Sequence, residues 1–214
     1  MEGLDAAQIR VLGCLLEKQR TTPDAYPLTL NSLRLACNQA TSRDPVVDYD
    51  EATVREAAQR LGRRGLVRLA SYHGSRSTKY RHLVDEALGL SPAQQAVLCV
   101  LMLRGPQTLG ELKQRTERLH PFENLAAVEA TLDELGEREL GRWVERRPGQ
   151  KEARYTHLLE GGDGELAAQP PEPSPAAGEG VSPDPDALAA ELARLREEVD
   201  SLRRELADLR EREP

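Results

Sequence analysis

Two stretches of the chain share one pattern, and together they decide the fold. The first is "TLNSL" at 29–33, followed by "ATVREAAQRLGRRGLV" at 52–67; the second is "TLGEL" at 108–112, followed by "VEATLDELGERELGRWV" at 128–144. Thr29 can cap the helix of the first stretch, and in both stretches a longer helical stripe then leads into an extended apolar run. The pattern predicts two helices followed by a strand, present twice.

The repeat extends on both sides of these stretches. "LDAAQIRVLGCLL" (4–16) resembles "LSPAQQAVLCVLM" (90–102), and "KYRHL" (79–83) resembles "RYTHL" (154–158). Because the order is the same in both copies, one supersecondary unit occurs twice.

Each copy has the signals of three helices and a β-hairpin. In the first copy we predict helices after Asp5, from about Thr29 and after Asp50, then strands at 66–71 and 77–83. Val54, Ala58 and Leu61 form the buried stripe of the third helix, and a glycine ends it. In the second copy, where Ser91 and Pro92 suit a helix start, we predict helices near 92–103, 108–118 and 123–138 and strands near 142–147 and 151–158.

Three helices and a hairpin describe a winged helix. We therefore predict a mainly α fold with small β-hairpin wings, with winged-helix domains at 1–87 and 88–160. Residues 161–186 are rich in Gly, Pro and acid and predict a disordered linker.

Residues 187–212 have a heptad pattern with leucine at every d position. We predict a coiled coil that pairs in parallel with a second copy, although an amphipathic helix folded back on the same chain would show similar periodicity. The predicted seam consists of Leu188, Leu192, Leu195, Val199, Leu202, Leu206 and Leu209.

The net charge of −7 argues against a uniformly basic nucleic-acid binder, but the charge is unevenly distributed. Residues 1–87 carry +2, residues 88–160 carry −1 and residues 161–214 carry −8, so the acidity lies in the tail. We see neither a secretory leader nor a long apolar run, and the three cysteines lie singly in apolar patterns. We therefore expect a cytoplasmic protein with reduced, buried cysteines.

The residues give little support for catalysis. The four histidines and three cysteines never reach zinc-ligand spacing, and neither a Gly-rich phosphate loop nor a nucleophile elbow is present. We expect no metal, no cofactor and no enzyme activity.

The polar stretch "RLACNQATSRDP" (34–45) allows three interpretations. As a structural connector, it would end the second helix at Asn38, which tolerates a left-handed conformation, and turn at 44–45. As a recognition surface, it would present Asn38, Gln39 and Arg43 to a nucleic acid or small ligand. As a catalytic site, it would use Cys37 as a nucleophile, which needs an oriented base beside the thiol.

A longer stretch, "GCLLEKQRTTPDAYPLTLNSLRLACNQATSRDPV" (13–46), is similar to the signature of the bacterial YceH-like family. The helix-turn-helix part more distantly resembles MarR-like regulators. The first resemblance covers about residues 4–160 and implies tandem winged helices, often followed by a helical tail. The family is functionally uncharacterised, so the resemblance implies a fold and no activity.

We expect the first copy to bind DNA through its third helix and its wing. Arginine and glutamine read base edges, while arginine and lysine contact phosphates. The third helix of the second copy is acidic, so there only the wing would reach DNA. The predicted DNA-binding residues are Arg55, Gln59, Arg63, Arg76, Lys79, Arg146, Arg147 and Lys151.

The leading functional hypothesis is a non-enzymatic DNA-binding protein that acts as a transcriptional regulator and homodimer. The alternative is a dimeric protein–protein interaction module that uses the same scaffold without DNA.

Overall fold

The structure is a computed structural model that describes residues 3–70, 78–144, 146 and 152–160. Its main helices begin at polar residues that cap them. The side chains of Asp5, Thr29 and Asp50 each accept a hydrogen bond from a backbone N–H of the helix that follows, which confirms the caps predicted at Asp5 and Thr29. Ser91 and Thr108 do the same in the second half. The α-helices of the described residues are α1 (Ala6–Thr21), α2 (Leu30–Cys37), α3 (Glu51–Arg63), α4 (Val84–Leu88), α5 (Pro92–Arg104), α6 (Leu109–Thr116) and α7 (Leu125–Glu137).

Two small antiparallel sheets accompany the helices. One contains β1 (Leu28–Thr29), β2 (Val67–Ala70) and β3 (Lys79–His82) in the order β1–β3–β2, and the other pairs β4 (Gly141–Val144) with β5 (Arg154–His157). Tyr80 lies opposite Leu69 in the first sheet, and Tyr155 opposite Trp143 in the second. The fold is therefore mixed α+β and mostly helical, which confirms the broad fold class predicted from the sequence.

The same helix faces are buried in both halves. Val54, Ala58 and Leu61 of α3 are buried as predicted, and α7 buries Val128 and Leu132 at the positions equivalent to 54 and 58. The buried residues of both halves form one continuous core, within a single compact unit.

Helices α1 and α5, which are equivalent in the repeat, join the two halves by packing on each other. A Cβ atom added at Gly13 would lie only 2.9 Å from Leu103 Cδ2 and 3.2 Å from Met102 Cβ. Glycine at this position therefore lets the two helices approach closely.

The structure differs from the sequence predictions in three details. The described strands are shorter than predicted; β1, with only two residues, carries no periodic signal and was missed. Helix α4 was also missed, and the predicted domain boundary after residue 87 lies in its last turn. Asn38 does cap the C-terminus of α2, but its φ of −93° shows that the predicted left-handed conformation was wrong.

Several predicted features lie outside the described residues. They are Arg76, Arg147, Lys151, the linker at 161–186 and the heptad seam at 187–212. No helix in the described part of the chain combines the length and apolar character needed to span a lipid bilayer.

Candidate nucleic-acid interface

One side of α3 presents a row of exposed side chains that suits a nucleic acid. Arg55, Gln59 and Arg63 are four residues apart, so they lie in a row on the helix, and all three are exposed. Asp50 is held at the helix start by the N–H of Thr53, and this hydrogen bond lowers the pKa of the Asp50 carboxyl. The sequence prediction of an exposed Arg–Gln–Arg face on this helix is confirmed.

The acidic residues of α3 are paired with its own arginines. Glu51 lies 3.6 Å from the Arg55 guanidinium, and Glu56 lies 2.6 Å from that of Arg60, which also contacts Asp5 at 3.2 Å. These pairs are exposed, and exposed ion pairs are weak. Replacing Glu51 by a phosphate at Arg55 would therefore cost little.

A groove with a volume of ≈ 630 Å³ runs between α3 and β2. Gln59 and Arg63 line it from the helix, and Arg68 lines it from the strand. Among the interactions of the described residues, neither Arg63 nor Arg68 has a carboxylate partner. Arg68 was not predicted from the sequence, because a four-residue strand does not reveal which side chains face the helix beside it.

The other predicted DNA-binding residues in the described part of the chain lie on the hairpins. Lys79 begins β3, where it pairs with Ala70 and Thr29 and is half-buried. Arg146 follows β4 and is exposed. Of these two, only Lys79 belongs to the same half as α3.

Helix α7 has the opposite charge at equivalent positions. In the alignment of the repeats, Glu129, Asp133 and Glu137 take the places of Arg55, Gln59 and Arg63, and all three acids are exposed. Residues 50–64 contain four arginines and three acids, for a net charge of +1, whereas 124–138 contain one arginine and four acids, for −3. The two halves thus present opposite charge on the same scaffold.

The connector after α2 is held by Asn38. Its side-chain Nδ2 donates to the carbonyl of Tyr49 at 2.8 Å, and its Oδ1 accepts from the N–H of Tyr49 at 2.9 Å. The Asn38 side-chain amide therefore satisfies both the N–H and the carbonyl of Tyr49. These two hydrogen bonds fix the chain after α2, so the helix ends at Asn38 without a left-handed backbone conformation.

Arg43 lies inside the protein. Its guanidinium forms an ion pair with Glu17 at 2.6 Å and donates to the carbonyl of Ala36 at 3.0 Å, and its side chain has no solvent exposure. Gln39 accepts from Arg43 at 3.0 Å and from Lys18 at 3.4 Å. These contacts favour the structural interpretation of the stretch, since the Arg43 side chain is not available to a partner at the surface.

The three cysteines lie in the core, as the sequence predicted. Cys14 donates to the carbonyl of Ala36 at 3.3 Å, and Cys99 donates to that of Gly13 at 3.4 Å. The hydrogen bond with Cys14 and burial both raise the pKa of the Cys37 thiol. A protonated, buried thiol is a poor nucleophile, which again favours the structural interpretation.

The histidines repeated in the two halves make equivalent contacts. His82 Nδ1 accepts from the N–H of Val84 at 3.3 Å, and His157 Nδ1 accepts from the N–H of Leu159 at 3.4 Å. Burial lowers the pKa of each imidazole to about 4. Both rings are therefore neutral at pH 7 and accept hydrogen bonds at the end of a hairpin.

Comparison with known proteins agrees with the resemblance of residues 13–46. Residues 4–150 match the family described as "Protein of unknown function, DUF480". A UPF0502 protein of Pelobacter propionicus is 50% identical over 209 residues, covering 97% of this chain and 93% of that protein. The UPF0502 protein of Azoarcus sp. is 47% identical, covering 97% and 89%. The UPF0502 protein YceH of Salmonella paratyphi C is 43% identical, covering 93% and 95%. The chain therefore belongs to the DUF480 family of bacterial proteins, which includes YceH.

Proposed function

We propose that both halves are winged helices and that the first binds double-stranded DNA, so that the protein acts as a transcriptional regulator. In this proposal α3 enters the major groove and the β2–β3 hairpin follows the phosphate backbone. The observation that carries the proposal is the α3–β2 groove, where Gln59, Arg63 and Arg68 face one space and neither arginine is paired with an acid of the described residues.

Each side chain has a defined role in this arrangement. Gln59 lies between two arginines of the row, and a glutamine amide can form two hydrogen bonds with adenine. Arg63 and Arg68 lie on opposite walls of the groove and would hold a phosphate strand between them. Arg55 would exchange its exposed contact with Glu51 for a phosphate oxygen.

The first test is fluorescence anisotropy of the full-length protein on a pool of labelled mixed-sequence duplexes, over a series of salt concentrations. We expect binding that weakens as salt rises. An Arg63→Ala/Arg68→Ala variant should bind about tenfold more weakly and show a shallower salt slope, because it makes fewer phosphate contacts.

The matched control is Arg20→Ala/Arg118→Ala, which also removes two exposed arginines, neither of which lines the groove. It should bind as the unaltered protein does. If the unaltered protein binds no duplex at low salt, the DNA proposal is wrong. If the double variant and the control lose affinity equally, binding depends on net charge and the groove is not the site.

The second candidate function is a protein–protein interaction module. The acidic surface of α7 favours it, because Glu129, Asp133 and Glu137 would repel a phosphate backbone at the positions where α3 would contact one. A partner that is captured equally well at low and high salt, while no duplex binds, would support this candidate over DNA binding.

The predicted homodimer belongs to the same proposal. Dimerisation would place two copies of α3 on a site with two-fold symmetry. Sedimentation velocity of the full chain should show a dimer, and Leu195→Asp/Leu202→Asp in the heptad seam should give a monomer. A monomeric unaltered protein would exclude this part of the proposal.

A further inference from the structure

A cavity of ≈ 250 Å³ lies where the two halves meet. Its walls come from α1 and α5 and from the segments that follow the helices and strands of each half. Equivalent positions of the repeat contribute in pairs: Leu12 with Leu98, Leu16 with Met102, Leu66 with Leu140, and Val84 with Leu159. Each half therefore contributes equivalent side chains to the wall. The cavity is the space that remains because these two sets of side chains do not pack completely against each other.

Two charged residues, Arg138 and Glu139, lie at the wall, and Glu139 is exposed to solvent. Arg138 lines the cavity, but its guanidinium donates to the carbonyls of Leu88 and Gly89, the latter at 3.3 Å, and so bridges the two halves. Among the described residues, no buried side-chain nitrogen or oxygen lacks a hydrogen-bond partner. The cavity thus offers apolar contact and no free donor or acceptor from a buried side chain.

We infer that this cavity binds a small neutral apolar molecule of the size of an alkylbenzene. An aliphatic cavity of about 150 Å³ in another protein stays dry and binds benzene, so the larger space here accommodates a ring with a short alkyl chain. The bound molecule would contact both halves at once and would stabilise their packing through α1 and α5.

The wall disfavours charged ligands of the same size, because Glu139 repels an anion and a cation would find only this solvent-exposed carboxylate. A carboxylate placed among leucines would lose its hydration without gaining a hydrogen bond, because the Arg138 donors already hold backbone carbonyls. A peptide helix is too wide for the space, since its diameter with side chains is about 10–12 Å. Neutral hydrocarbons and simple aromatics remain as the class that fits.

The test uses the full chain with ¹³C-labelled methionine methyl groups and n-butylbenzene as the probe. The chain contains only Met1 and Met102, and Met102 lines the cavity, so Met102→Leu assigns its signal. We expect the Met102 methyl signal to shift and saturate as the probe is added. The absence of a saturable shift at Met102 would overturn the inference.

Two variants locate the site. Leu88→Phe narrows the cavity and should weaken binding of the probe by about tenfold, which corresponds to a loss of about 1.4 kcal/mol in binding free energy. Leu30→Phe is the matched control at another half-buried leucine outside the cavity, and it should bind as the unaltered protein does. Equal binding by both variants would place the probe elsewhere and overturn the inference.

A charged analogue defines the ligand class. 4-Butylbenzoate should leave the Met102 signal unchanged at concentrations where butylbenzene saturates it. If the benzoate binds more tightly, the assignment to neutral ligands is wrong. Should Leu88→Phe fail to fold, the Met102 titrations of the unaltered protein with the two probes decide the question by themselves. None of these measurements involves DNA, so their outcome is independent of the proposed regulator function.

Discussion

Helices α3 and α7 have the same length and equivalent buried faces, yet their exposed faces carry opposite charge. Val54 and Val128 are both fully buried, whereas Arg55 beside the first corresponds to Glu129 beside the second. Burial constrains the inner face because a change of volume in a packed core is costly. The outer face has no such constraint, so its charge can diverge without any cost to the packing of the core.

The two sheets differ in a similar way next to their buried tyrosines. Val67 begins β2, while Gly141 begins β4 at the equivalent position. Tyr155 lies against Gly141, donates to the carbonyl of Leu132 at 2.7 Å and contacts the edge of Trp143. In the second half, the Tyr155 ring thus occupies the space that a side chain at position 141 would need.

The largest expected effect comes from giving the second half the residue of the first. In Gly141→Val, the new Cβ would overlap Cε1 of the Tyr155 ring, so the ring must move away from the position in which its hydroxyl donates to the carbonyl of Leu132. We expect the free energy of unfolding to fall by about 3 kcal/mol, measured by urea denaturation. Val67→Ala, which shortens the side chain at the equivalent position of the first half, should cost less, since it only removes apolar contacts. Equal costs for the two variants would show that Tyr155 relaxes freely.

The repeated histidines predict a loss of stability in mild acid. Each has a pKa of about 4 in the folded protein and about 6.5 when unfolded, so between these values the unfolded chain binds the proton. Stability is therefore full above about pH 6.5 and falls as the pH drops towards 4. We expect each of the two histidines to lower the free energy of unfolding at pH 5 by about 2 kcal/mol relative to pH 7.5.

Single substitutions separate the contributions of His82 and His157 to this loss of stability. His82→Gln and His157→Gln should each reduce the difference in unfolding free energy between pH 7.5 and pH 5, with the two variants compared by denaturation at both pH values. The Asp85 carboxylate lies 3.9 Å from His82 Nδ1 and favours its protonated form. If neither substitution reduces the difference, other groups cause the acid sensitivity.

Exchanging the charges of α7 tests whether its acidic face keeps it from DNA. Glu129→Arg/Asp133→Gln/Glu137→Arg copies the exposed row of α3 onto the second half. We expect the affinity for mixed duplexes to rise by about tenfold, with a steeper salt slope, because new phosphate contacts form. The same three changes should leave the unfolding free energy almost unchanged, since all three positions are exposed. Unchanged DNA affinity would show that α7 is kept from the duplex by geometry and not by charge.

The smallest effect is expected at the turn that follows each of these helices. Gly65 has a φ of 71°, and Glu139 at the equivalent position has a φ of 55°, a conformation that is strained for a glutamate. Glu139→Gly should therefore stabilise the protein by about 0.5–1 kcal/mol, and Gly65→Ala should destabilise it by about the same amount. Thermal unfolding of both variants measures the difference, and effects of the same sign would contradict this explanation.

Much of the local structure followed from the sequence alone. The repeat, the caps at Asp5, Thr29 and Ser91, and the buried stripe of α3 were predicted correctly, because capping and periodicity depend on neighbours within a few residues. The exposed row of Arg55, Gln59 and Arg63 followed from the same periodicity. The resemblance of residues 13–46 also identified the family correctly.

Other features were decided by tertiary structure, since they join residues far apart in the chain. The burial of Arg43 depends on Glu17, and the closed hydrogen bonds of Asn38 depend on Tyr49. Arg68 belongs to the candidate interface only because β2 lies beside α3. The apolar cavity likewise requires the α1–α5 contact, which Gly13 permits. Local sequence determines which elements form, but only the packing of distant elements decides which polar groups are buried and which spaces remain.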